Sequence, residues 1–444
     1  SSVERQVLGL FIFGFSAVLL LLSMPAAVAA KPVPVILDTD MESDVDDVGA
    51  LAMLHALADR GEAEILGVMV SAKNPHSAAC ANRINTYFGR PELPVGNVKS
   101  DGVLRDSRYA RQVAEEFPGT LSSGDDAPDA VERYREILAR QPDNSVVIVT
   151  IGYKTNLRNV LVSGPCKHSD LDGRALVERK IRLWVCMGGR FPEGREANIL
   201  WDAAAAAEAI EKWPTDIIFS GWEIGRDIYT GGRLHELPKD NPVRRAYQLF
   251  NDLQPHRSWD QAAVLYAVRG LDGGPASDYW DLSPPGRIVI NPEDGSNSWK
   301  HDTNGTHKYH IARRAPNLLA EEIDALMMHQ PSKPVRNIFD ADMDTDCDDA
   351  EALAVLHATA DGVTSDEVTN TIEDLIARSH TDASGLEPIV LGEDGKTFRY
   401  AESGVRFTPW GFNYNRDNDL RLHHEYWVDE WDRVAADFRT MRDL

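Results

Sequence analysis

The sequence predicts an α/β fold: a mostly parallel sheet flanked by helices on both faces, Rossmann-like in layout, with an incomplete C-terminal appendage. Three observations carry this. Short apolar runs alternate with helix-length stretches across residues 31–331. Those runs are continuous rather than alternating, as strands covered on both faces must be. Polar clusters follow several of the runs, at Asp38–Asp47, Ser71–Asn74, Ile151–Asn156 and Gly188–Asn198. In parallel sheets ligands bind at the carboxyl ends of strands.

Taken in order, "VPVILD" (33–38) predicts a buried strand and "DDVGALAMLHALADRG" (46–61) an amphipathic helix ending at Gly61. "AEILGVMVSA" is a second strand, and "HSAACANRINTYFG" a helix closed by Gly89. "NSVVIVTIG" predicts a strand feeding "TNLRNVLVSG"; "KIRLWVCMGG" is the next strand. "DAAAAAEAIEKWP" reads as a helix stopped by Pro214, and "TDIIFSG" as another strand. Helices over "WDQAAVLYAVRG" and "NLLAEEIDALMMHQP" complete the region. Apolar periodicity and Gly/Pro punctuation are the physical basis of each assignment.

A chain of 444 residues, 43% hydrophobic, can bury a large core in more than one unit. Its net charge of −24 argues against nucleic acid or an anionic membrane as the main partner, and fits cations or a neutral small substrate. Cys80, Cys166, Cys186 and Cys347 lack metal-ligand spacing, and Cys186 inside "LWVCM" reads as a buried free thiol. Residues 1–30 hold the apolar run "VLGLFIFGFSAVLLLLSM" followed by "PAAVAA", which predicts an exported protein with a signal peptide cleaved near Ala29 or Ala30. An uncleaved membrane anchor is the alternative, since the run is nearly long enough to span. The Pro-rich stretch "HQPSKPVRN" predicts a linker after a main domain at 31–331. Beyond it come a partial acidic strand–helix motif at 332–360 and a truncated tail at 361–444.

The chain writes one acidic cluster twice, as "LDTDMESDVDDVGAL" (37–51) and "FDADMDTDCDDAEAL" (339–353). In the first, Asp38, Asp40, Glu42, Asp44, Asp46 and Asp47 crowd a strand-to-helix junction. Carboxylates this close raise one another's pKa unless a cation or donors offset them. A helix N-terminus contributes only about 0.3–1 kcal/mol per charge; a hard divalent cation does far more, and oxygen ligands suit Ca²⁺ or Mg²⁺. A solvated helix start needs one or two acids, not six. An EF-hand loop is a rival. It fails in the first copy, where Gly49 stands at the twelfth position. The second copy has Glu351 there, but carries Thr345 where that loop needs Gly.

"ILDTDMESDVDDVGALAML" resembles the N-terminal motif of the nucleoside hydrolase family, in a longer form with two residues added before the Asp pair. "VSAKNP", "TIGYKTNL", "VCMGGRFPEGREANILWD" and "SWDQAAVLYAV" follow in the family's order, so the resemblance covers roughly Pro34 to Gln330. It implies a Ca²⁺ held by Asp40, Asp47, the backbone carbonyl of Ile151 and Asp260. It implies that Asp40 orients and deprotonates the attacking water and that Asp46 bonds the ribose 2′-hydroxyl. Asn74, Glu196 and Asn198 would bind the other sugar hydroxyls, with Met187 lining the sugar. Asn74 is offset by one residue from the usual Gly-Asn pair, and Asp44 has no counterpart in the shorter pattern. The implied reaction cleaves an N-ribosidic bond through an oxocarbenium-like state, with a nucleoside as small-molecule partner and self-association into homo-oligomers as a family habit.

Some relatives place a His just before the last metal Asp; this chain has Trp259, which the resemblance implies stacks on a purine base. Core filling is the plainer role for that Trp. His256, His307 and His310 are candidate proton donors, set against the ordinary solvated loop histidine. The tail "FTPWGFNYNRD…YWVDEWDRVAADFRTMRDL" resembles the first strand and helix of a cellulase-type TIM-barrel glycoside hydrolase, without the later strands that would bear its carboxylates. The expected activity is therefore a Ca²⁺-dependent nucleosidase of purine preference. The rival is a non-catalytic, calcium-stabilised sugar- or polysaccharide-binding module. The second acidic copy is expected to be inactive, because no counterpart of Glu196, Asn198 or Asp260 follows it.

Overall fold

Thirteen strands run through residues 31–331: β1 (Val33–Thr39), β2 (Ala63–Val70), β3 (Val95–Asn97), β4 (Val146–Thr150), β5 (Ile181–Met187), β6 (Glu193–Arg195), β7 (Ile217–Ser220), β8 (Tyr229–Thr230), β9 (His256–Arg257), β10 (Trp280–Leu282), β11 (Gly286–Ile290), β12 (Ser296–His301) and β13 (His307–Ala312). The structure is a computed structural model. It describes residues 31–331 and, beyond them, the backbone of three short strands, Ile389–Leu391, Phe398–Tyr400 and Arg406–Phe407. The chain divides into two compact units, Ser1–Pro331 and Ser332–Leu444. The leader, the second acidic copy and the C-terminal helix expected of the tail lie outside the described residues. Among the described residues, no helix is long and apolar enough to cross a membrane.

The main sheet runs β3-β2-β1-β4-β5-β7-β13-β11-β12-β6, with β10 also paired to β13. From β3 to β13 every pairing is parallel; β11, β12, β6 and β10 join antiparallel. Side chains alternate across each strand. Val35 and Leu37 enter one core with Val68, Val147 and Val185, while Ile36 enters the other with Met69, Ile148 and Trp184. Helices Asp46–Asp59, Ser77–Tyr87, Trp259–Leu265 and Pro316–Met327 cover the first face; Ala130–Arg140, Thr155–Val162, Gly173–Lys180 and Ala203–Lys212 cover the second. The doubly covered, mostly parallel sheet predicted from the apolar runs is the fold observed.

Two local expectations need correction. The Asp46–Asp59 helix is not amphipathic in its setting: every residue from Asp46 to Leu57 is buried. It is enclosed by the sheet, by the Trp259–Leu265 helix, which itself packs on β5 and β7, and by the Pro316–Met327 helix. The antiparallel end of the sheet was also not anticipated. Its strands do alternate, with Gly286, Ile288 and Ile290 buried and Arg287 and Val289 exposed, which is the period-two pattern of a half-covered strand. The tail adds a three-stranded antiparallel sheet of its own, of which sequence reasoning expected only the strand at Arg406–Phe407.

Candidate active site

The sheet order reverses at β1. The chain steps from β1 outward to β2 and β3, then returns to lay β4 on the other side of β1. At such a switch point the loops leaving neighbouring strands part and open a crevice. Here the acidic loop after β1 faces the Ile151–Lys154 loop after β4. Gly152 closes the junction: a Cβ there would lie 2.5 Å from Asp40 N and 2.8 Å from Ser71 Oγ. Met41, within the acidic loop, is fully buried and adopts a positive φ of 52°, a strained turn for a non-glycine residue.

The acids that follow are buried. Asp40, Asp46, Asp47 and Asp260 are each at most 4% exposed. Asp46 and Asp47 open the Asp46–Asp59 helix, and Asp260 lies in the first turn of the Trp259–Leu265 helix, so two helix N-termini meet. One carboxylate oxygen from each of Asp46, Asp47 and Asp260 falls within 4.8 Å of the others. Asp47 Oδ1 accepts from the Thr39 hydroxyl and, at 3.2 Å, from Asp40 N–H. Asp46 Oδ2 accepts from the backbone N–H of Trp259 at 3.1 Å and of Asp260 at 3.3 Å, while its Oδ1 is buried without a partner among the described residues.

Asp40 is not a member of the tightest trio. Its Oδ1 takes Glu42 N–H at 3.0 Å. Burial, then the charges of Asp47 and Glu42, raise its pKa well above the carboxylate range. Burial and the neighbouring acids do the same to Asp46 and Asp260. Burial, and then Asp44, push Asp47 up to about 7. So many desolvated acids cannot all ionise unless a cation joins them. The donors are carboxylate oxygens, one of them orphaned, and the set fits a hard divalent ion.

Met187, Glu196 and Asn198 lie beside the Ile151–Lys154 loop. Asn198 Nδ2 donates to the Ile151 carbonyl at 2.9 Å and contacts Met187 Sδ at 3.3 Å. Glu196 accepts the N–H groups of Asn198, Ile199 and Gly189, capping the short Ala197–Leu200 helix. The Asn74 amide is engaged by its own surroundings: it donates to the Arg105 carbonyl at 3.0 Å and accepts His76 N–H at 3.0 Å. On the other side, the indole N–H of Trp259 donates to the Trp222 carbonyl at 2.8 Å. A Cβ on Gly225 would lie 2.4 Å from Trp259 Cα, so only glycine admits this approach.

Around the site, sequence reasoning named acids such as Asp38 and Glu42 but missed the partners that hold them. Asp38, raised to about 7 by burial, accepts from Tyr134 Oη at 2.8 Å and from Asn156 Nδ2 at 3.1 Å. Glu42 accepts from Tyr153 Oη and Arg105 N–H, both at 2.9 Å. Lys154 is fully buried and donates to the carbonyls of Gly152 and, at 3.0 Å, Met187. Tyr153 and Lys154 stand inside the quoted "TIGYKTNL" block, so their position was legible but their partners were not. Tyr134 gave no local signal. A separate open groove of about 670 Å³ between β6, β11 and β12 is lined by Arg190, Arg195, Asn291 and Asn297, with none of the site carboxylates among its walls.

Acids buried at the switch point of a doubly covered, mostly parallel sheet mark this crevice as a candidate hydrolytic site. The chain belongs to the inosine-uridine preferring nucleoside hydrolase family, whose model matches residues 35–284. Among solved structures, a plant nucleoside hydrolase is 19% identical with a TM-score of 0.50, over 67% of this chain and 98% of that one. An inosine-guanosine nucleoside hydrolase is 14% identical with a TM-score of 0.50, over 67% of this chain and 99% of that one. At such identities the two likenesses speak to the fold. No curated protein matches the chain. The protein is thus a hydrolase of N-glycosidic bonds, from a family that is typically metal-dependent.

Proposed function

We propose that the enzyme hydrolyses ribonucleosides to free base and ribose with Ca²⁺ as cofactor and a preference for purines. The observation that carries the reading is the buried meeting of Asp46, Asp47 and Asp260. Asp40, Asp47, Asp260 and the Ile151 carbonyl would hold the ion. When bound, it supplies charge neutralisation, a grip on the sugar diol and acidification of water. The Asp40 carboxylate orients the attacking water and takes its proton. Asp46 accepts the 2′-hydroxyl, and Glu196, Asn198 and Asn74 fix the remaining hydroxyls, holding the anomeric carbon in line with the water. Trp259, half-buried between Trp222 and the acids, offers the base a stacking face. The apolar leader supports an exported enzyme, acting on nucleosides outside the cytoplasm.

Release of free base from inosine, guanosine, uridine and cytidine tests this. The purine nucleosides should show the higher kcat/KM. Equal or better turnover of uridine would remove the purine preference. Calcium binding without turnover of any nucleoside would favour the sugar-binding module.

A further inference from the structure

Of the three histidines the sequence offered as proton donors, the structure separates one from the others. His307 and His310 are not solvated loop residues: they are 3% and 4% exposed on β13. His307 Nδ1 accepts Ile288 N–H at 3.2 Å, and His310 stacks on Trp280 with centroids 5.2 Å apart. His256 opens β9, three residues before Trp259, and its ring stands edge-on to Phe250 at 4.9 Å and to Trp259 at 6.3 Å. Its Nε2 is shielded from solvent and has no hydrogen-bond partner among the described residues. The nearest carboxylate oxygen is Asp44 Oδ2 at 4.0 Å. Asp44, Asp46 and His256 each bring one polar atom within 4.8 Å of the others. Asp46 Oδ1 is likewise buried and unpaired.

Asp44 sits in the lengthened acidic loop, so the added residues deliver a carboxylate to the imidazole beside the base-stacking Trp259. We propose that His256, with the Asp44 carboxylate 4.0 Å from its Nε2, is the hydrogen-bond and proton donor to the departing base. The inference rests on the nucleosidase reading. As the C1′–N bond breaks, its electron pair stays on the base nitrogen, which takes the His256 proton. The water oxygen bonds to C1′ after giving its proton to the site carboxylate, so one water is consumed and the protons balance.

The test uses the full chain and two substrates assayed on the same samples: inosine, whose base leaves poorly without a proton, and p-nitrophenyl riboside, whose phenolate leaves without one. In His256→Ala the ratio of inosine to p-nitrophenyl riboside kcat/KM should fall about 100-fold, the low end for a lost general acid. Asp44→Asn should move the ratio the same way by less. Because both rates come from one preparation, a loss of folded protein cancels in the ratio. An unchanged ratio in His256→Ala, with both rates intact or both reduced together, overturns the role. Wild-type protein that turns over neither substrate overturns the nucleosidase reading itself, and this inference with it.

Discussion

Asp46 and Trp259, 213 residues apart, are joined by a 3.1 Å hydrogen bond from the Trp259 backbone N–H to Asp46 Oδ2. The Asp260 N–H adds a second at 3.3 Å, so one carboxylate ties together the first turns of two helices. That carboxylate is also 1% exposed and beset by neighbouring charge. Asp46→Asn keeps an acceptor for both N–H groups and removes the charge. In chelator it should melt at or above the wild-type temperature, because an uncompensated buried charge is costly, while base release falls at least about 100-fold. A destabilised Asn variant with retained turnover would contradict the site.

Gly152 holds the floor of the crevice against Asp40 N, where a Cβ would lie at 2.5 Å. Gly152→Ala must therefore displace the end of β1 or the loop after β4. The expected result is a loss of about 1–3 kcal/mol from overpacking, read by urea denaturation, together with weakened calcium binding. A neutral alanine would show that the two loops are looser than the close approach implies.

Trp259 should matter to the base rather than to the sugar. Trp259→Ala is expected to lower kcat/KM for inosine and guanosine by about 10- to 100-fold, as base–aromatic stacking is worth about 1–3 kcal/mol. Uridine, with its smaller ring, should lose less. Equal losses on both would assign the indole to packing, through its bond to Trp222.

His310 offers a pH-dependent check on the core. Both its ring nitrogens are buried without partners among the described residues, and burial holds its pKa down to about 3. The unfolded chain protonates this His below about pH 6.5 while the folded protein does not. The stability it leaves intact above that pH is lost progressively as pH falls toward 3. His310→Phe removes this titration and the unpaired polar atoms. Its gain in stability should be larger at pH 5 than at pH 8 by about 2 kcal/mol, measured from urea midpoints; equal gains at both would show that the imidazole finds a proton or a partner.

Much of the fold was legible because its central strands are short continuous apolar runs closed by Gly and Pro, which fix strand and helix without tertiary knowledge. Polar residues at strand ends pointed to the crevice where the buried acids gather. What the sequence could not display were partners fixed only by three-dimensional approach. Tyr134 reaches Asp38 across 96 positions, and nothing near Tyr134 marks it. The Asp46–Asp59 helix looks two-sided in isolation, but the Trp259–Leu265 and Pro316–Met327 helices pack against it and complete its burial. His256 looked like any loop histidine until Asp44, from the distant acidic loop, was found beside it.

In the proposed mechanism Asp47 and Asp260 hold a calcium ion required for base release. The most direct measurement is free base released from inosine by the full chain, before chelation, after chelation and after Ca²⁺ is restored, in wild type, Asp47→Ala and Asp260→Ala. Wild-type turnover should vanish with chelator and return with Ca²⁺, and both variants should stay inactive throughout. Base release that survives chelation, or either alanine variant turning over inosine with Ca²⁺ present, would contradict it.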